Sequence, residues 1–114
     1  MYSEKVQAQI YFVQDIAKLI EYASGIGVGL TFGEAYRTQL QQADYVRRGL
    51  SKVSVSNHQR RLAIDFNFFI GGNLMYEHQL ISKIGRYWEC LRAGNRWGGN
   101  YKNFKDTPHF ERVL

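Results

Sequence analysis

Three side chains of this 114-residue chain are of the kinds that hold a catalytic metal, and they stand far apart in sequence: His58, Asp65 and His109. Two imidazoles and one carboxylate suit zinc, with the fourth position left for water, provided all three converge to ~2.0–2.2 Å from one ion. Asp106, three residues before His109, is the natural general base for a water activated there. Glu111 shares the face of His109 if the segment is extended, which makes it either a rival base or a group that orients the imidazole. Arg37 could steady an oxyanion or hold a substrate carboxylate, or could serve the structure by pairing with Glu34 or Asp44. Ser56 could bind substrate or hydrogen-bond the loop backbone. Each residue also has an ordinary reading: His58 as a loop residue, Asp65 as the salt-bridge partner of Arg60 or Arg61, His109 as a residue packed at a strand start.

These residues need elements to position them. In "SNHQRRLAIDFNFF" the residues Leu62, Ile64, Phe66 and Phe68 alternate, which predicts a central strand over Leu62–Ile70 with Ala63, Asp65 and Asn67 on its other face. An unpaired carboxylate is costly to bury, and if that second face lines a cleft, Asp65 points into it from a rigid support. The strand should close on a Gly71-Gly72-Asn73 turn. Val6, Ile10, Val13, Ala17 and Ile20 predict an amphipathic first helix capped by Ser3 and ended by Gly25. Val28, Leu30 and Phe32 read as a short strand, Gln39–Arg48 as a second helix stopped by Gly49, and 50–57 as a polar loop carrying on toward His58. Ile81, Ile84, Trp88 and Leu91 mark a third helix, with His78 facing solvent and with Trp88 and Cys90 read as core. The stretch "NRWGGNYKNFKD" reads as a loop, in which Trp97, Gly98 and Gly99 shape a cleft wall or serve packing, and His109–Val113 reads as a last strand. No βαβ rhythm appears, so the expected fold is α+β: a small, mainly antiparallel sheet packed with helices.

Composition bounds the rest. The 45% hydrophobic and 15% aromatic content is that of one globular domain spanning 1–114. Cys90 is the single cysteine, so neither a disulfide within the chain nor a cysteine-based zinc site is available. The net charge of +5 points to an anionic partner. No nucleic-acid-reading motif is present and the aromatics fall at core spacings, which sets nucleic acid aside. The N-terminal stretch is interrupted by Gln, Asp and Lys, so neither a signal peptide nor a membrane span is expected. A cytoplasmic monomer is the corresponding expectation.

"SNHQRRLAIDF" followed some forty residues later by "RWGGNYKNFKDTPHFE" resembles the zinc peptidases of bacterial cell-wall metabolism. These comprise D-alanyl-D-alanine carboxypeptidases and dipeptidases of the VanX and VanY type, and phage L-alanyl-D-glutamate endopeptidases. Ser-x-His, six residues, Asp, and a later Asp/Glu-x-x-His carry the likeness, with "YRT" and "WGG" beside them, over roughly Leu30 to Val113. The resemblance implies the hedgehog/DD-peptidase fold, Zn2+ held by His58, Asp65 and His109, Asp106 as acid/base, and Arg37 at the substrate. It also implies peptidoglycan stem peptides as substrate, with the phage endopeptidase branch the nearest and a D-alanyl-D-alanine carboxypeptidase the alternative, and a protein that stays cytoplasmic until release to the cell wall. A non-catalytic basic binding module is the reading from another class. One position departs: the family has glycine where this chain has Arg61, which bears on the loop after His58.

Overall fold

A computed structural model describes residues 1–51 and 56–114. Its elements are α1 (Glu4–Gly25), β1 (Gly29–Phe32), α2 (Gln39–Arg47), β2 (Ala63–Ile70), β3 (Asn73–Met75), α3 (Gln79–Leu91), β4 (Asn95–Trp97) and β5 (His109–Arg112). The five strands form one antiparallel sheet in the order β1-β2-β5-β4, with β3 folded back on the end of β2. The α+β expectation and its small antiparallel sheet hold. Part of the loop expected over 50–57 lies outside the described residues.

β2 is the axis of the molecule. Leu62, Ile64, Phe66 and Phe68 are buried as their alternation demands, and Phe110 of β5 and Trp88 of α3 close the same core edge-on. Gly71 and Gly72 both take positive φ (59° and 82°), the backbone a tight hairpin needs to return as β3. α3 buries Ile81, Ile84 and Trp88, and the exposed His78 caps it through Nδ1, which accepts from the Leu80 N–H. Cys90 corrects an expectation: two residues past Trp88 on a helix it has turned to the opposite side, and it is exposed.

α1 begins at Ser3, whose Oγ accepts from the Val6 N–H, and ends at Gly25 as expected, but it turns a different face inward. Ala8, Phe12, Ile16, Leu19 and Ala23 are buried, whereas Val13 is 65% exposed and Val6, Ala17 and Ile20 also face outward. Both stripes have helical spacing. Phe12, bulkier than any residue of the other stripe, takes the core and meets Trp88 edge-on at 5.5 Å. Asp15 lies on that inward face and is fully buried, which sequence reasoning counts against it. Arg92 Nε and Nη2 donate to its two oxygens at 2.9 and 3.3 Å, and Asn95 Nδ2 adds a third bond at 3.2 Å, so the charge is met in place. Among the described residues no helix is long and apolar enough to cross a membrane.

β3 and β4 were not legible in the sequence: three residues each are too few to show a period. β1 has Val28 buried just before it, but its end reaches the sheet edge, where Phe32 is 73% exposed.

Candidate metal centre

Register delivers the first two donors. Asp65 lies directly opposite His109 where β2 pairs with β5. The main chain of Asp65 bonds on its other side, its carbonyl accepting from Gly33 N and its N–H donating to Glu34 O, each at 2.8 Å. Toward β5 the Asp65–His109 pair is therefore a non-hydrogen-bonded one, flanked by the bond from Phe66 N to Pro108 O, and such pairs bring side chains closest. The third donor comes from a tight turn over 57–61, with Gln59 N, Arg60 N and Arg61 N bonding back to Ser56 O, Asn57 O and His58 O. Ser56 Oγ accepts from the His58 N–H at 3.1 Å, the loop-holding one of its two expected roles, and Ser56 also lines the cleft.

The three side chains meet. His109 Nδ1 stands 3.1 Å and His58 Nε2 3.4 Å from Asp65 Oδ1, and one ligand atom from each residue lies within 4.8 Å of the others. Each ring has its far nitrogen occupied. His58 Nδ1 donates to the Ala35 carbonyl at 3.0 Å, and His109 Nε2 donates to Glu111 Oε1 at 2.6 Å. That leaves Nε2 of one ring and Nδ1 of the other directed at a single carboxylate, with both orientations fixed from behind, as ligand histidines are. The donors fit a divalent zinc in number and kind, and the catalytic sort of site leaves one side open. Here the open side is a cavity of about 430 Å³ lined by Arg37, Ser56, Asp65, Asp106, His109 and Glu111, among others.

Electrostatics follow from this packing. Burial works against charge on Asp65, but hydrogen bonds from His109 and His58 outweigh it and hold its carboxyl well below the usual range. Burial likewise opposes the His109 imidazolium, yet Asp65 and Glu111 together raise it to about 9. Asp106 moves the other way: burial, with Asp65 adding repulsion, pushes its carboxyl up against the pull of His109, His58 and Arg37. A carboxyl raised in this way is suited to taking and returning a proton. Its side chain makes no hydrogen bond among the described residues, so it is free to turn toward a ligand.

Glu111 is not free in that sense. Its Oε1 is held by His109 and its Oε2 by Asn57 Nδ2 at 2.9 Å, which favours the orienting role over the base. Arg37 pairs with Glu34, donates to Gln42 Oε1 at 2.6 Å and lies over the Tyr45 ring, while Asp44 pairs instead with Arg47 and Arg48. The guanidinium has more donors than these contacts use, so a structural tie and a place at the cleft wall coexist. Asn57 and Tyr101, which also line the cleft, escaped sequence reasoning; adjacency to His58 was the one signal for Asn57.

The WGG segment positions Asp106. Gly98 O accepts from Asp106 N at 2.9 Å, and a Cβ on Gly98 would stand 2.1 Å from the Asp106 carbonyl oxygen, so only glycine permits that approach. Trp97 is buried and donates from Nε1 to the Thr107 carbonyl at 2.8 Å, clamping the next residue. Arg61, where the resemblance expects glycine, has φ +59°, the one positive φ outside glycine among the described residues. The turn demands a left-handed residue there, and arginine meets it with its guanidinium 4.2 Å over the Tyr36 ring.

An α+β sheet that sets two imidazoles and a carboxylate at the floor of an open cleft has the makings of a metal-dependent hydrolase. The family model described as D-alanyl-D-alanine carboxypeptidase matches residues 50–112, and the chain belongs to that family. It is 28% identical over 95 residues to the L-alanyl-D-glutamate peptidase of Listeria phage A118, covering 82% of this chain but 34% of that protein's length. Among solved structures it resembles the L-Ala D-Glu endopeptidase ChiX of Serratia marcescens, with a TM-score of 0.68 and 27% identity over 88% of this chain and 79% of the other. It also shares the fold of the vancomycin-resistance D,D-pentapeptidase VanY from a VanB-type cassette, an E175A mutant in complex with Zn(II). There the TM-score is 0.61 and the identity 18%, over 92% of this chain and 72% of the other.

Proposed function

We propose that this chain is a zinc-dependent peptidase that hydrolyses the L-alanyl–D-glutamate bond in the stem peptides of peptidoglycan. The observation that carries the reading is the convergence of His58 Nε2, Asp65 Oδ1 and His109 Nδ1 on one point of the cleft, each ring braced from behind. The phage peptidase and ChiX favour the endopeptidase over the carboxypeptidase activity. The net charge of +5 suits a polyanionic wall, reached on release from the cytoplasm.

A zinc ion held by these three residues would supply a Lewis acid at the cleft floor. Asp106, its carboxyl raised by burial, takes the proton of the attacking water and returns it to the departing amine. Arg37, fixed by Glu34 and Gln42, faces the negative charge that develops on the scissile carbonyl oxygen, a service whose loss costs ~10²–10³-fold in comparable sites. Ser56 and the turn it holds set the height of His58 and offer a hydroxyl to the substrate backbone.

Digestion of purified peptidoglycan followed by mass spectrometry of the new termini tests the proposal. Fragments with a new amino terminus on D-glutamate are expected, lost on chelation and restored by zinc. Release of free D-alanine alone would rule out the endopeptidase and favour the carboxypeptidase reading. Asp106→Asn should abolish hydrolysis and keep about one zinc per chain; a protein that binds no zinc and cuts nothing would point to a binding module.

A further inference from the structure

Glu111 touches both histidine-bearing parts of the site. Its Oε1 accepts from His109 Nε2 at 2.6 Å, and its Oε2 accepts from Asn57 Nδ2 at 2.9 Å. Asn57 is the residue before His58, and its carbonyl anchors the turn by accepting from Arg60 N and Leu62 N. Its side-chain oxygen accepts from Arg60 Nη1 at 2.9 Å. The polarity of this chain of bonds is settled by chemistry. A guanidinium only donates and a carboxylate only accepts, so the Asn57 amide can face one way alone. The same logic puts a proton on His109 Nε2 and turns Nδ1 toward Asp65. The Glu111 side chain is 14% exposed, so little water competes for these bonds.

We propose that Glu111 is a positioning residue that ties the His109 strand to the His58 turn through Asn57, fixing both the tautomer of His109 and the spacing of the two imidazoles. This rests on the reading of His58, Asp65 and His109 as metal ligands. β5 and the turn over 57–61 have no other side-chain bond between them among the described residues at this point of the site. Without the tie, His58 rides on a turn bonded to Gln9, Ala35 and Arg37 while His109 rides on the sheet, and no side-chain bond of this kind fixes their separation.

The test is zinc affinity, measured by competition with a chromophoric chelator, together with the downfield Nε2–H proton signal of His109 in the NMR spectrum. Wild type should bind one zinc and show the signal. Glu111→Ala should bind about tenfold to hundredfold more weakly, the range for lost outer partners of ligand histidines, and lose the signal. Asn57→Ala cuts the tie but spares the acceptor, so affinity should fall less and the signal remain. Glu111→Gln can still accept from His109 but meets the Asn57 amide donor to donor, so it should follow Asn57→Ala. If Glu111→Ala fails to fold, the Gln and Asn57 variants decide. Wild-type affinity in both of those would overturn the proposal, as would a retained signal and affinity in Glu111→Ala. A wild-type protein that binds no zinc would sink the metal reading instead, while loss of the proton signal in Glu111→Ala would still uphold the positioning role.

Discussion

Gly98→Ala probes the contact that holds Asp106 beside the donors. The new Cβ would lie 2.1 Å from the Asp106 carbonyl oxygen and 3.0 Å from His109 Cβ, and real Cβ atoms essentially never come within 3.0 Å of another heavy atom. The obstacle is backbone rather than a flexible side-chain tip, so the segment carrying Asp106 must retreat by about 1 Å. That strains the bond from Asp106 N to Gly98 O and the one from His109 N to Asp106 O, through which His109 would feel the change. A displacement of ~1 Å at a reacting group costs on the order of 10²-fold in rate, and overpacking costs ~1–3 kcal/mol of stability. We expect kcat/KM for a defined muropeptide to fall by about that factor, with a lowered Tm. Gly25→Ala is the control, since a Cβ there meets nothing within 4 Å. A Gly98→Ala enzyme with kcat/KM within about threefold of wild type would show that the approach does not position Asp106, and the argument from the glycine would fail.

Two further predictions concern stability. Asp15→Asn should cost ~3 kcal/mol at pH 7, the low end for breaking a buried pair because Arg92 stays 30% exposed. Burial raises the Asp15 carboxyl but the bonds from Arg92 and Asn95 outweigh it and lower it, so the wild-type advantage is complete above the ordinary carboxylate range and fades as pH falls through the folded value. Urea melts at several pH values check the sign, and an advantage that grew on acidification would contradict it. At Arg61, relief of left-handed strain in Arg61→Gly is offset by the freer unfolded chain and the lost Tyr36 contact, leaving a change within ~1 kcal/mol. Arg61→Val should instead lose ~1–2 kcal/mol more than Gly, because a β-branched residue tolerates that backbone least; equal melting temperatures for the two would refute the claim.

What the sequence made legible follows from which physics is local. The alternation in 62–68 exposed both the buried face of β2 and the special position of Asp65, because strand geometry has a period of two and nothing else competed with it. The family likeness singled out His58, Asp65 and His109 as candidate ligands, and the sheet register places Asp65 opposite His109. The inward face of α1 was misjudged because two apolar stripes share that helix, and the correct one carries Asp15, whose partners Arg92 and Asn95 lie some 80 residues away. No local pattern reveals a charge neutralised at that distance. Glu111 offered two roles in the sequence, and its bonds to His109 and Asn57, which favour the orienting one, form only once β2, β5 and the turn are assembled.

Asp65 and His109 are 44 positions apart and become neighbours only when β5 docks on β2. Closing so long a loop costs entropy that neither half of the chain can recover alone. An incomplete or nicked chain would therefore own the individual donors without owning the centre, and hydrolytic competence would arrive all at once with the finished sheet.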